Sequence, residues 1–308
     1  MSDPRRKQTP QRHVTTKTRL MRAAEVNNLE LVQELLDEEA GCILRRTLTA
    51  LMLAARRGFY DAVRYLVPYE AGIVTTHGTA LIQAARAGHH KCLHPLREEL
   101  GKTDDEGRTA LMHAAQQGRL KCIDPLLSEV GLQDLLGRTA LMYAAELVHP
   151  LAPQIVGKLL KEARVQDNIG NSALFYATVE TAPLLLPYEA GLQNIHEETA
   201  LMLAARLGKA DLVHILLKEA GVITSTGTAL TAALFHRRTD CLEMLIIESE
   251  LELLPLLHRA VLTRSADDIT LLPDSPTYAF FGITAYDCAA AIGWKKGLEN
   301  PWKKEDAD

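Results

Sequence analysis

Four side chains with metal-ligating chemistry crowd into one short segment: His89, His90, Cys92 and His94. Zinc takes imidazole nitrogen and thiolate sulfur, but it needs four ligands converging on a tetrahedron. Further ligands would have to come from His113 or Cys122, and their spacing does not favour convergence. The cysteines are five in number, with no Cys-x-x-Cys pair among them. Such an odd set fits reduced thiols better than a disulfide framework. A nucleophilic thiol would also need a basic neighbour and partial exposure. No Ser-His-Asp set, phosphate-cradling glycine loop or His-Glu-x-x-His motif occurs. One chemical alternative therefore stands, a metal or enzymatic centre at His89, His90 and His94. The expectation set against it is a chain with no catalytic residues, no metal and no cofactor.

The elements that must position these residues form a repeat. Thr-Ala-Leu-x-x-Ala-Ala is spelled from Thr49 to Ala55 and again from Thr79, Thr109, Thr139 and Thr199, with degenerate copies at Thr18, Ser172, Thr228 and Thr284. From Thr18 to Thr228 successive starts lie 27 to 33 residues apart, a period that means a solenoid. Each copy reads as two short antiparallel helices. Threonine is the N-cap, and the alanine pair lets neighbouring helices approach closely. Gly58, Gly88, Gly118 and Gly208, with Asn27 in the first copy, mark the turn between the helices. Apolar residues at helical spacing, such as Leu212, Val213, Leu216 and Leu217, make the second helix. It stops at Gly41, Gly72, Gly101, Gly131, Gly191 and Gly221, followed by a polar turn such as Asp104-Asp105-Glu106-Gly107. Cys92, Cys122 and Cys241 each fall thirteen residues after their threonine, the inward place of Leu31, Ala62 and Leu212. They read as small core residues. Pro95 and Pro125 share another repeat position, where their cost depends on where the second helix begins.

The stretch Asp104-x-x-Gly107-x-Thr109-Ala110-Leu111-Met112-His113-Ala114-Ala115-x-x-Gly118 resembles the ankyrin-repeat signature. The resemblance covers residues 18 to about 250 and returns from Thr284 to Gly293. The family usually spells Thr-Pro-Leu-His, whereas this chain has Ala at 50, 80, 110, 140 and 200, and Met or Ile in place of His. Packing of Met52, Met112, Met142 and Met202 must then replace the Thr-to-His hydrogen bonding of that motif. The spelling is similar to that of ankyrin arrays in diplomonad protists, which stand alone or adjoin NEK-type kinase domains, but nothing in this chain resembles a kinase motif. The fold expected is an all-α ankyrin-repeat solenoid of about eight to nine helix-pair units, a single elongated array with an extra C-terminal capping helix.

Composition agrees with an aliphatic helical core: 47% of residues are apolar and 24% charged, but only 5% aromatic. No apolar run reaches the roughly 20 residues of a spanning helix, and the N-terminus lacks a secretory signal's apolar segment, so a cytoplasmic protein is expected. The net charge of −5 hides a division: residues 1 to 22 carry seven basic side chains against Asp3, leaving −11 on the rest. Residues 1–16 are expected to be a disordered basic leader, which alternatively anchors the chain to an anionic or cytoskeletal surface. The array is expected over 17–250, with a bend near 146–184, where Pro150 and Pro153 interrupt the fifth repeat. A capping helix, loop and partial repeat are expected over 251–297 and a polar tail over 298–308.

In ankyrin arrays the partner-facing side is formed by the turn tips and by the two residues after the alanine pair. Carried onto this chain, those positions are Arg45, Arg46, Arg56, Arg57, Arg86, Arg108, Gln116, Gln117, Arg138, Glu146 and Arg206. Acids gather instead at the ends of second helices: Asp37-Glu38-Glu39, Glu70, Glu98-Glu99, Glu129, Glu189 and Glu219. A basic inner face on an acidic body suggests an acidic segment of another protein as ligand, because guanidinium forks suit carboxylates and repulsion from the body orients the approach. Nucleic acid is not expected, because the stripe lacks interleaved aromatic residues. The expected function is that of a non-catalytic protein-interaction scaffold or adaptor, monomeric and cytoplasmic, with cytoskeletal association as an extension of the resemblance.

Overall fold

The computed structural model describes residues 10–225, 227–247, 279–280, 283–284 and 288–290. Six of the helix pairs start as their threonine requires; Thr139, before Ala140–Glu146, makes no such cap bond. Thr18, Thr49, Thr79, Thr109, Thr199 and Thr228 sit in extended conformation before the first helix, and each hydroxyl accepts the backbone N–H three residues on at 3.2–3.4 Å. A cap of this kind stabilises a helix by about 1 kcal/mol. First helices run over Arg19–Glu25, Ala50–Arg57, Ala80–Ala87, Ala110–Gln116, Ala140–Glu146, Ala200–Leu207 and Ala229–Phe235. Their Leu51, Leu81, Leu111, Leu141 and Leu201 and the alanine pairs behind them are buried. Full burial of one leucine contributes about 1.5–3 kcal/mol. Met52, Met112, Met142 and Met202 are buried too, and the Met112 sulfur accepts the Thr109 N–H at 3.5 Å. Methionine thus fills the space that the Thr-to-His bond would occupy.

The turn to the second helix needs a left-handed residue, and Gly58 shows why it is glycine. Its φ is 79°, and a Cβ there would lie 2.4 Å from the His89 ring of the next repeat. Second helices follow over Leu29–Glu39, Tyr60–Glu70, Ala152–Leu159, Ala182–Glu189, Ala210–Leu216 and Thr239–Ile247. In the third and fourth repeats the α-helix lasts only through His90–Leu93 and Leu120–Ile123, then tightens to 3-10 over His94–Glu99 and Asp124–Glu129. Pro95 and Pro125 stand at the start of those 3-10 segments. Proline has no N–H for an i−4 carbonyl, so the change of winding begins where the donor is missing. The Cys92, Cys122 and Cys241 side chains are fully buried, and the remaining two cysteines, Cys42 and Cys288, are buried as well.

The described residues fall into two compact units, one comprising 1–168 with 176–184 and the other 169–175 with 185–308. In the first, the first helices of the second to fifth repeats pack side by side in chain order; in the second, those of the seventh and eighth do so. The turns are also tied directly to one another: Leu135 N–H donates to the Glu106 carbonyl at 3.1 Å and Asn168 N–H to that of Leu136 at 3.0 Å. None of the described helices is long and apolar enough to cross a membrane.

Three expectations need correction. The basic leader is not disordered throughout 1–16: Arg12–Val14 is a strand paired in parallel with Cys42–Leu44. Arg12 and His13 are exposed, Val14 is half-buried and the pairing rests on main-chain hydrogen bonds, so the scarcity of apolar residues carried no information about it. Within the expected loop and partial repeat, Ala279–Phe280 pairs in antiparallel with Ile283–Thr284; the expected capping helix and the polar tail lie outside the described residues. The third correction concerns the acids.

Glu70, Glu99, Glu129, Glu162, Glu189 and Glu219 are buried, each between 1% and 3% exposed. They are not a solvated acidic surface. Glu99 accepts the N–H of Leu81, in the first turn of its own repeat, at 2.7 Å and that of Gly72, at the end of the preceding repeat, at 2.8 Å. The pairs are Gly41 and Leu51 for Glu70, Gly101 and Leu111 for Glu129, Gly131 and Leu141 for Glu162, and Gly191 and Leu201 for Glu219. Glu189 accepts from Leu174 and the half-buried Glu39 from Leu20. A helix start leaves N–H groups without intrahelical partners, and a carboxylate there answers both the missing acceptor and the positive end of the helix dipole. Burial pushes the carboxyls of Glu70, Glu99, Glu129, Glu162 and Glu219 above the ordinary 4.5, while the N–H donors pull them back.

Adjacent residues test this arrangement. Glu99→Ala orphans the buried Leu81 N–H and the half-buried Gly72 N–H and lowers the urea unfolding free energy by about 2–4 kcal/mol, whereas Glu98→Ala, at an exposed position, changes it by less than about 0.5 kcal/mol. Equal effects would refute the ladder. The raised carboxyl also fixes a sign. The folded protein holds the Glu99 proton more tightly than the unfolded chain does, so this contribution is complete below about pH 4.5 and is lost as pH rises through the folded value. The stability of the wild type minus that of Glu99→Gln should therefore fall with rising pH across that window, as read by denaturation at a series of pH values. The five thiols should not react with Ellman's reagent in the native protein at pH 8 and should all react in guanidinium, since burial pushes Cys92 and Cys122 up to about 11.

Candidate functional site

The basic positions of the inner face divide by what the preceding turn offers them. In the fourth and fifth repeats the turn carries Asp104 or Asp134, five residues before the threonine. Asp104 Oδ1 accepts the N–H groups of Glu106 and Arg108 at 3.0 and 2.9 Å. Asp134 Oδ1 does the same for Leu136 and Arg138 at 2.9 and 2.8 Å. The other oxygen reaches the first helix, at 2.8 Å from His113 Nε2 and 2.6 Å from the Tyr143 hydroxyl. Burial pushes His113 below the ordinary imidazole value, against the pull of Asp104. Burial opposes the Asp104 charge, yet the Arg108 N–H and the His113 ring hold that carboxyl below its usual range. His113 is thus a buried turn support.

The same turns capture their arginines. The Arg108 guanidinium lies 3.1 Å from Asp104 and 2.8 Å from Glu106. Arg138 lies 3.1 Å from Glu146 and stacks over the Tyr143 and Tyr176 rings, its guanidinium carbon 5.0 and 4.3 Å from their centroids. In the seventh repeat Arg206 lies 3.0 Å from Glu198, and in the second Arg57 lies 3.4 Å from Glu25. Arg45 and Arg46, at φ 47° and 66°, form an exposed turn tip, and Arg45 Nε donates to the Thr15 carbonyl at 3.2 Å. Gln116 is half-buried and Gln117 exposed.

The second and third repeats differ, because neither their turns nor their first helices contain Asp or Glu. Arg56 and Arg86 are exposed in the last turn of successive first helices, and among the described residues neither forms an ion pair. Cations there suit the negative end of a helix dipole, which gives these arginines a local reason to exist. They nonetheless converge with other residues. A groove of about 490 Å³ is lined by Arg56, His77, Gln83, Arg86, Gln117 and Arg119, with Ala87. No carboxylate lines it. Gln83 is buried and its Nε2 donates to the His77 carbonyl at 2.7 Å, bracing the turn. Arg119 Nε donates to the Arg86 carbonyl at 3.2 Å. Arg238 makes the same bond to Arg206 at 3.1 Å, so part of the role of Arg119 is to close the end of a neighbouring helix.

Of the residues singled out in the sequence, the groove brings together Arg56, Arg86 and Gln117; the others are not among its lining. It adds His77, Gln83 and Arg119, which the family positions do not include. The only sequence signal for it was the lack of acids between Gly41 and Ala87 outside the second helix. The metal alternative loses its geometry. Cys92 is fully buried while His90 and His94 are exposed and His89 lies against Gly58. Among the described residues no three His, Cys, Asp or Glu side chains are gathered to hold a metal ion.

Comparison with known proteins agrees with this architecture. The family described as "Ankyrin repeats (3 copies)" matches residues 20–104, 93–165 and 178–254. No curated protein is significantly similar in the search of those sequences. Among solved structures, the ankyrin repeat domain of Bcl-3, a member of the IkappaB family, is 24% identical at a TM-score of 0.53, covering 66% of this chain and 99% of that one. The ankyrin repeat protein EF0377 is 22% identical at a TM-score of 0.49, covering 56% and 100%. A structure of the endopeptidase Bd0816 from Bdellovibrio bacteriovorus in complex with immunity protein Bd3460 contains a chain 24% identical at a TM-score of 0.47, covering 56% and 99%. The capped helix pairs, their left-handed turns and the family match over more than half of the sequence make this chain a member of the ankyrin-repeat family, with an all-α solenoid fold.

Proposed function

We propose that this chain is a non-catalytic, monomeric scaffold or adaptor that binds an acidic segment of another protein in the groove spanning its second to fourth repeats. Ankyrin repeats are protein–protein interaction modules. The observation that carries the finer reading is the groove itself: Arg56, Arg86 and Arg119 meet there with no carboxylate in its lining, while Arg57, Arg108, Arg138 and Arg206 are each matched by an acid of this chain. An arginine already holding a carboxylate has little left to offer a ligand; Arg56 and Arg86 hold none, and Arg119, whose Nε donates to the Arg86 carbonyl, keeps its two terminal nitrogens. The burial of the glutamate ladder alters the argument from charge. Those acids serve backbone N–H groups inside the stack, so guidance of a ligand rests on the local positive field of the groove rather than on repulsion from an acidic body. Cys42, Cys92, Cys122 and Cys241, which form no disulfide, fit a reducing, cytoplasmic setting.

Fluorescence anisotropy with a labelled Glu-Gly-Ser peptide at low salt tests the proposal. Binding is expected, weakening with added salt and about tenfold or more in the double variant Arg56→Glu, Arg86→Glu. Arg97→Glu, at an exposed second-helix position, should leave it unchanged. Binding that is indifferent to the double variant, or equal affinity for a Lys-Gly-Ser peptide, would overturn the assignment.

A further inference from the structure

Elsewhere in the inner face each of these arginines meets at least one carboxylate of the chain: Arg108 meets Asp104 and Glu106, Arg138 meets Glu146 and Arg206 meets Glu198. The groove departs from that pattern. Three arginines from three successive repeats, Arg56, Arg86 and Arg119, line one concavity of about 490 Å³. A carboxylate is planar, carries one charge and has two oxygens, which a single arginine fork satisfies. Placing one glutamate in this groove would leave two of the three cations unmatched. A phosphate monoester carries close to two negative charges near neutral pH and presents three terminal oxygens on a tetrahedron, so each can take a different guanidinium.

The arrangement is also partly ordered in advance. Arg119 is held to the Arg86 carbonyl through Nε at 3.2 Å, and its stem passes where a Cβ on Gly88 would come within 3.0 Å of it. That single bond leaves the two terminal nitrogens of Arg119 for a ligand. His77 is fixed through its carbonyl by Gln83 at 2.7 Å, and Gln117 brings an exposed amide to the same wall. The space is far larger than a bare phosphate ion requires and falls in the range of ligand clefts, which leaves room for the side chain and flanking backbone of a bound segment. No Phe, Tyr or Trp lines it for base stacking.

We propose that the groove recognises a phosphate monoester carried on a side chain of the partner's acidic segment, a phosphorylated serine or threonine. This rests on the acidic-segment reading above and sharpens it. Calorimetric titration of the full chain with three otherwise identical Glu-Gly-Ser peptides, carrying a central phosphoserine, glutamate or serine, tests it alongside inorganic phosphate. The phosphoserine peptide should bind at least about tenfold more tightly than the glutamate peptide. That preference should shrink to within about twofold in the double variant Arg56→Gln, Arg86→Gln and persist in Arg97→Gln, with thermal melts showing that both variants fold. If the phosphoserine and glutamate peptides bind equally, the acidic-segment reading survives and the phosphate assignment falls. If none of the peptides binds, both fall. If inorganic phosphate binds as tightly as the phosphopeptide, the site belongs to the free ion and the peptide assignment is overturned.

Discussion

A buried carboxylate bonded to two backbone N–H groups, one from its own repeat and one from the repeat before, is the contact on which the stack depends. Leucine and alanine faces supply most of the apolar burial, but they are non-directional and tolerate sliding. The carboxylate does not. Glu129 meets Leu111 at 2.8 Å and Gly101 at 2.9 Å, so it fixes how far one repeat is displaced from the next as well as that they touch. The cost of removing a charge from water is offset because each such glutamate sits where the helix start already leaves donors unanswered. Among the described residues, seven repeats use a glutamate at this place, from Glu39 to Glu219.

With spacing fixed in this way, the inner face becomes a row of equivalent positions whose chemistry is set by small local differences. An aspartate five residues before the threonine turns its repeat inward on itself: it braces the turn, supports a histidine or tyrosine in the first helix and, in the fourth repeat, pairs with the following arginine. The second and third repeats, which lack it and carry no other acid in the turn or first helix, leave Arg56 and Arg86 without an ion pair among the described residues. The groove at Arg56, Arg86 and Arg119 therefore arises from the absence of acids in two neighbouring turns as much as from the presence of bases. Arginine content alone would have pointed equally to Arg108, Arg138 and Arg206, which are engaged within the chain.

Much of the fold was legible because its signals are local. A recurring threonine, an alanine pair and a left-handed turn residue define a helix pair wherever they occur, and Asn27, at φ 60°, shows the turn position is recognisable even without glycine. The inward cysteines followed from period alone. What escaped the sequence depends on partners distant in the chain. A glutamate at a helix end ordinarily reads as solvated, and only its constant place two residues before a left-handed residue distinguishes Glu99 from Glu98. The strand at Arg12–Val14 is held by backbone pairing with Cys42–Leu44, which side-chain composition cannot report. Of the candidate site, the family positions located Arg56 and Arg86, whereas Arg119 emerged only once its contact with the Arg86 carbonyl placed it beside them.

The carboxylate ladder gives the chain an orientation that its similar repeats would otherwise hide. Each rung reaches back toward the N-terminus, so the closing group for any one repeat is encoded in its successor. Trimming the array from the C-terminal side strips a donor of its acceptor at the new edge, while trimming from the other side leaves a glutamate with one vacant oxygen that water can serve. Modules excised or recombined from this protein should accordingly carry their downstream glutamate with them, and the frame in which such pieces are interchangeable is offset from the one that the threonine spelling marks out.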